Sequence, residues 1–154
     1  MLNADHDIDP ADVLPIIVGA HPRAEVAHRP LAMAMCEQIR SWVALQGLTD
    51  FPSPLIVTDL WFLNAPPLME RPTISIGDPE VNAVTAWMST RLPTIMVVDD
   101  VLRIQMDPDL LDLRACFWGV TQEATATATE TFLAKYLGEF LDAVSLHEGC
   151  HDPR

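Results

Sequence analysis

The chain has 154 residues, 49% hydrophobic and 20% charged, and a formal net charge of −13 from 22 acids against nine bases. That length suits one domain with its own core. The charge argues against nucleic-acid backbones and anionic membrane surfaces as partners, and no apolar run approaches the ~20 residues that span a bilayer. The cysteines, Cys36, Cys116 and Cys150, sit at no metal-binding spacing. They point to a reducing, cytoplasmic setting without a disulfide framework.

Residues 1–12 are acidic and carry no Lys or Arg, so they read as a flexible arm rather than a secretory signal. Val13-Leu14-Pro15-Ile16-Ile17-Val18 is apolar on both alternating faces and ends at Gly19, as a strand buried in a parallel sheet does. Residues 20–30 read as a polar loop. Pro30 then opens a helix to about Leu45, its stripe carried by Leu31, Met35, Ile39 and Trp42 and its end marked by Gly47. Leu55–Thr58 reads as a second strand ending at Asp59. The Pro-rich residues 60–72 read as a loop holding an unusually apolar cluster, Leu60 to Leu63.

Thr73–Ile76 predicts a third strand that turns at Gly77-Asp78-Pro79 into a helix, with Asp78 as its cap and Val81, Val84, Thr85 and Met88 as its stripe. Thr94–Val98 predicts a fourth strand. Asp99-Asp100 reads as a two-residue turn into an alternating fifth, Val101–Met106, with one face in water. Leu113–Trp118 reads as the last strand, ending at Gly119. One helix is expected from Thr121 to Val144, small-sided in its first half and apolar on two stripes in its second.

These elements predict one three-layer α/β domain over 13–144, followed by a polar tail, 145–154. Its sheet is expected to be mostly parallel, of about five to six strands with an antiparallel piece, and flanked by three main helices. In such sheets ligands bind beyond the carboxyl ends of the strands. If the strands are parallel, the segments at Gly19, Asp59, Gly77 and Gly119 share one rim. Residues expected to meet a small anionic ligand there are His21, Arg23, Asp59, Gly77, Asn82, Trp118, Gly119 and Thr121. Arg pairs with anions in a fixed fork, an open helix start offers free N–H groups, and Trp stacks on planar rings.

The alternative is a hydrolase or transferase with His21 or His28 as general base and Asp59 orienting it. A third reading is a homo-oligomeric interaction subunit using the Trp61 loop or the last helix. Each site residue also has a plainer explanation: caps for Thr121 and Asp78, a core strand for Cys116, and ion pairs with local acids for the arginines. The layout is loosely similar to that of flavodoxins, but the loop after the first strand lacks their Ser/Thr-rich phosphate cradle. The sequence carries no GxGxxG, GxxxxGK[ST], GxSxG, CxxC or HExxH motif. His147-x-x-Cys150-His151 offers ligand types but no fourth ligand, so no metal or other cofactor is assigned.

Overall fold

A computed structural model describes residues 9–150. Six strands form one sheet: β1 Val13–Val18, β2 Ser53–Thr58, β3 Thr73–Ile76, β4 Thr94–Val98, β5 Leu102–Met106 and β6 Arg114–Gly119. Their spatial order is β2-β1-β3-β6-β5-β4. The pairs β1–β2, β1–β3 and β3–β6 are parallel, whereas β5 is antiparallel to both β6 and β4. The sheet is therefore mixed rather than mostly parallel, its antiparallel part lying at one edge.

Among the described residues there are seven helices, not three: α1 Pro22–Ala27, α2 Arg29–Gln46, α3 Asp59–Leu63, α4 Pro66–Met69, α5 Ala83–Ser89, α6 Gln122–Lys135 and α7 Leu137–Glu148. The residues expected as loops at 20–30 and 60–72 hold the short ones. α1 and α3 are each set by a local cap that periodicity does not register, whereas α4 has no side-chain cap and opens on prolines. His21 accepts the Arg23 N–H ahead of α1, and the Thr58 hydroxyl accepts the Trp61 N–H ahead of α3. α5 starts at Ala83 rather than at Pro79, because the Asn82 side chain takes the amides of Val84 and Thr85. The single long helix expected at the end is two, since Tyr136 leaves the helical region (φ −124°) between α6 and α7. α7 continues to Glu148, past the boundary expected at Val144. Residues 1–8 of the arm and 151–154 of the tail lie outside the described residues.

The period of two along each strand sorts side chains into two core layers. Leu14, Ile16 and Val18 of β1 pack with Ala32, Met35 and Ile39 of α2, while Val13 and Ile17 face Phe62 of α3 and Val84 and Met88 of α5. β6 splits the same way: Phe117 stacks on Phe132 of α6 at 4.7 Å between centroids, and Cys116 joins the opposite layer. A fully buried Phe contributes roughly 1.5–3 kcal/mol, so Phe117, Phe132 and Phe140 anchor the larger layer. The small residues of α6 do what their size suggests: Ala124, Thr125, Ala128 and Thr129 are buried, bringing that helix down onto β6.

β5 was expected to wet one face. Instead Leu102, Ile104, Gln105 and Met106 are all buried, the Gln105 amide donating to the carbonyls of Ser89 and Leu92. The exposed strand is β4, at the sheet edge, with Val97 and Val98 in solvent. Asp99 and Asp100 turn the chain as expected, but Val98 pairs with Leu102, so three residues rather than two lie between the paired positions and β5 starts after Val101. Both aspartates have positive φ, 48° and 55°, the left-handed pair of a primed turn, and the Val101 N–H closes the turn on the Val98 carbonyl at 2.7 Å.

The chain moves outward from β1 to β2 over the face bearing α2. It returns from β2 to β3 across the opposite face, over α3 and α4. Opposite directions on opposite faces give crossovers of one hand, as expected of wound α/β sheets. Winding reverses between β1 and β3, the point at which sheets of this kind place a crevice beyond their strand ends. No helix among the described residues is long and apolar enough to cross a membrane.

Candidate functional site

The four parallel strands end along one edge in the order Thr58-Asp59, Val18-Gly19, Ile76-Gly77 and Trp118-Gly119. The co-location that the sequence made conditional on parallel pairing is therefore present. What each residue does there follows from its hydrogen bonds.

Asp59 is buried, and its carboxylate accepts three backbone N–H groups, from Ala20 at 2.9 Å, Leu60 at 2.8 Å and Ala83 at 2.8 Å. It ties the end of β1, the start of α3 and the start of α5 together. A carboxylate engaged in this way is poorly placed to orient a histidine. Asn82 is wholly buried and equally committed. Its Oδ1 accepts from Val84 and Thr85, and its Nδ2 donates to Ser75 Oγ and the Ile76 carbonyl. Ser75 and Thr85 share a further bond of 2.8 Å. This network fastens α5 to β3 beneath the rim.

Thr121 caps α6, its hydroxyl accepting the Ala124 N–H at 3.0 Å. Two glycines are explained by close approach. A Cβ on Gly19 would lie 1.8 Å from the Val81 carbonyl oxygen, and one on Gly119 would lie 2.3 Å from Ala124 Cβ. Trp118 is half-buried, with the Arg103 guanidinium carbon 5.9 Å from its ring centroid, so part of its π face already meets a cation. Burial pushes the Cys116 thiol up to about 12, which leaves it an unreactive small hydrophobe. Exposed His21 uses Nδ1 to cap α1.

The exception to this closed accounting is His28. It stands at the junction of α1 and α2, only 3% exposed, and its Nδ1 has no hydrogen-bond partner. The imidazole lies against Gly77, where a Cβ would come within 2.4 Å of Nδ1. Gly77 has φ +113°, so both its backbone and the ring beside it call for glycine. Burial holds the His28 pKa below its ordinary 6.5, the Asp78 carboxylate partly opposing this and the Arg23 guanidinium adding to it. Arg23 and Asp78 pair at 3.4 Å across the β1/β3 crevice, with the arginine side chain 55% exposed.

The crevice thus brings together Arg23, His28, Gly77 and Asp78. Asn82 and Asp59 lie beneath it in the framework, and Thr121, Gly119 and Trp118 belong to the neighbouring end of β6. Sequence reasoning considered His28 for proton transfer but did not foresee its burial. The signal was present: positions 28, 32, 35 and 39 continue one helical stripe, and a histidine on that stripe points to the core. Asp78 was read as a cap and is instead the partner of Arg23. Among the described residues no cluster of His, Cys, Asp and Glu could hold a metal ion. No protein-family model matches the sequence, no curated protein matches it, and no solved structure matches the fold.

Proposed function

We propose that this chain binds a small anionic ligand in the β1/β3 crevice, without a reaction assigned to it. The observation that carries this reading is the buried, unpartnered Nδ1 of His28 beside Gly77, at the point where the winding reverses. A buried polar nitrogen without a partner is disfavoured by about 1–3 kcal/mol, and a ligand group can supply the missing bond. Arg23 is mostly exposed and held by a single ion pair near the surface. Such pairs contribute little, so an incoming carboxylate or phosphate can take the guanidinium over. The enzyme reading draws less support, because Asp59 is occupied by backbone amides.

The test is an NMR titration of the side-chain resonances of His28 and Arg23 with acetate, citrate and inorganic phosphate. Saturable shifts at His28 that Arg23→Ala weakens by about tenfold, the worth of one charged hydrogen bond, support the site. Silence at His28 with all three anions, or shifts indifferent to Arg23→Ala, ends this reading.

An assembly role is favoured by a separate observation: Leu60 and Trp61, adjacent on α3, are 58% and 51% exposed. It predicts a multimeric mass by light scattering that Trp61→Ser reduces. A monomer in both proteins counts against it.

A further inference from the structure

We propose that the groove between the 107–113 loop and α7, at the end of the sheet away from the crevice, docks a cationic amphipathic peptide segment of a partner protein. Two of the most exposed large apolar side chains of the described residues, Leu111 at 87% and Leu146 at 83%, line the same cavity of about 640 Å³. Leu110, Leu113 and Ala143 complete its apolar floor. On α7 the lining positions are 139, 142, 143, 146 and 147, the spacing of a single helical face. That face is left uncovered while Phe140, Leu141 and Val144 are buried in the core.

The loop facing it is fixed. The Asp107 carboxylate accepts the backbone N–H groups of Asp109, Leu111 and Asp112, each at 3.0 Å. Leu110 sits at φ +55°, and Leu111 projects into solvent. A second cavity of about 270 Å³ continues the groove, sharing Leu111, Leu113 and His147 with the first.

The charge decides the occupant. Asp109, Glu139 and Asp142 are exposed on the groove walls, and the lining of the larger cavity contains no Lys or Arg. The arginines of the smaller cavity are engaged within the chain: Arg71 with Glu148 and the Val13 carbonyl, Arg114 with the Met69 carbonyl and Asp112. An anionic or purely apolar partner would leave the three carboxylates facing like charge or desolvated. A peptide with Leu-type side chains on one face and Lys or Arg beside them meets both floor and walls, in the manner of helix-in-groove recognition. The net charge of −13 attracts such a segment at long range and opposes a second copy of this chain in the same place.

The probe is a synthetic Leu/Lys peptide with apolar residues at helical spacing, compared with its Leu/Glu counterpart and with a scrambled Leu/Lys peptide of equal charge. Calorimetric titration is run at ~0.15 M salt, where the Debye length is about 8 Å. The expected result is saturable one-to-one binding of the ordered Leu/Lys peptide alone. Leu111→Ser with Leu146→Ser should weaken it by at least about tenfold, and Asp109→Asn with Asp142→Asn should flatten its salt dependence. All four side chains are exposed, so these variants fold. Absence of binding, equal binding of the scrambled peptide, or binding indifferent to the leucine changes overturns the proposal. So does a peptide-free dimer that the leucine changes dissolve, since the groove would then belong to a second copy.

Discussion

At the carboxyl edge of the parallel strands, Asp59 and Asn82 bury their polar atoms against backbone amides and leave one imidazole nitrogen unmatched. At the opposite edge Asp107 binds three amides in much the same way, yet the loop it closes holds Leu111 out in water. Both edges are locally well bonded, and they differ in what remains after the bonds are made. The crevice leaves a polar group without a polar partner, and the groove leaves apolar groups without an apolar one. A recognition site is most legible in such a remainder, because elsewhere in a folded chain these mismatches are removed.

The sharpest way to break the first half of that comparison is Asp59→Ala. Three backbone donors lose their acceptor, and with ~1–3 kcal/mol for each that ends up buried and unpaired a loss of about 3 kcal/mol is expected in urea unfolding. Asp59→Asn keeps one acceptor oxygen and should lose less. A change below ~1 kcal/mol in the alanine variant would mean that solvent replaces the carboxylate freely and that the rim is not framed by it. Gly77→Ala comes next, at about 2 kcal/mol, since it adds a left-handed penalty to a collision with the His28 ring. Gly47→Ala is the control. Its φ is +65° but nothing lies within 4 Å, so only the backbone penalty of about 1 kcal/mol remains. Equal losses at the two glycines would remove the evidence that His28 is tightly seated.

The strands and their shared edge were legible because they rest on short-range signals. Apolar runs such as Val13–Val18 end in glycine, and Asp99-Asp100 tolerates positive φ. The short helices α1 and α3 were not legible, because each is started by one side-chain cap rather than by a repeating pattern; α5 was legible from its stripe, and only its start was misplaced. At α5 two rival caps lay four residues apart, and the buried Asn82 prevailed over Asp78 because its amide also ties down β3. The role of Asp59 was beyond reach for another reason: it bonds amides at positions 20 and 83, which are brought together only by the sheet order. Leu111 gave no signal at all, since exposure of a loop leucine is decided by the hydrogen bonds of Asp107.

His28 gives a pH test of the crevice. Its folded pKa lies below the ordinary 6.5, mainly through burial, with Asp78 and Arg23 acting in opposite senses. As pH falls through 6.5, the unfolded chain takes up a proton that the folded chain still refuses, and stability must drop. Above 6.5 this contribution is fully present. His28→Gln removes the titration, so its stability should vary less between neutral pH and pH ~5. Identical slopes for the two proteins, after allowance for a constant offset, would show that the ring is hydrated and its nitrogen already matched by water. An anion that seats on Arg23 and bonds His28 should shift the same slope, a result that a merely structural histidine would not produce.

The smallest expected effect is the one that bears most on the groove. Leu111→Ser together with Leu146→Ser should change unfolding stability by less than about 0.5 kcal/mol, because both side chains are more than four-fifths exposed and bury little on folding. Leu137→Ser, on the same helix but 5% exposed, should lose about 3 kcal/mol by contrast. The pair separates two reasons for an apolar residue to stand on α7. A leucine retained for the fold announces itself in stability. A leucine that can be replaced without loss of stability, yet whose loss abolishes peptide binding, is there for a partner. If the double change proves as damaging as Leu137→Ser, the groove is closed in solution by packing between the loop and α7, and its apolar floor is core rather than surface.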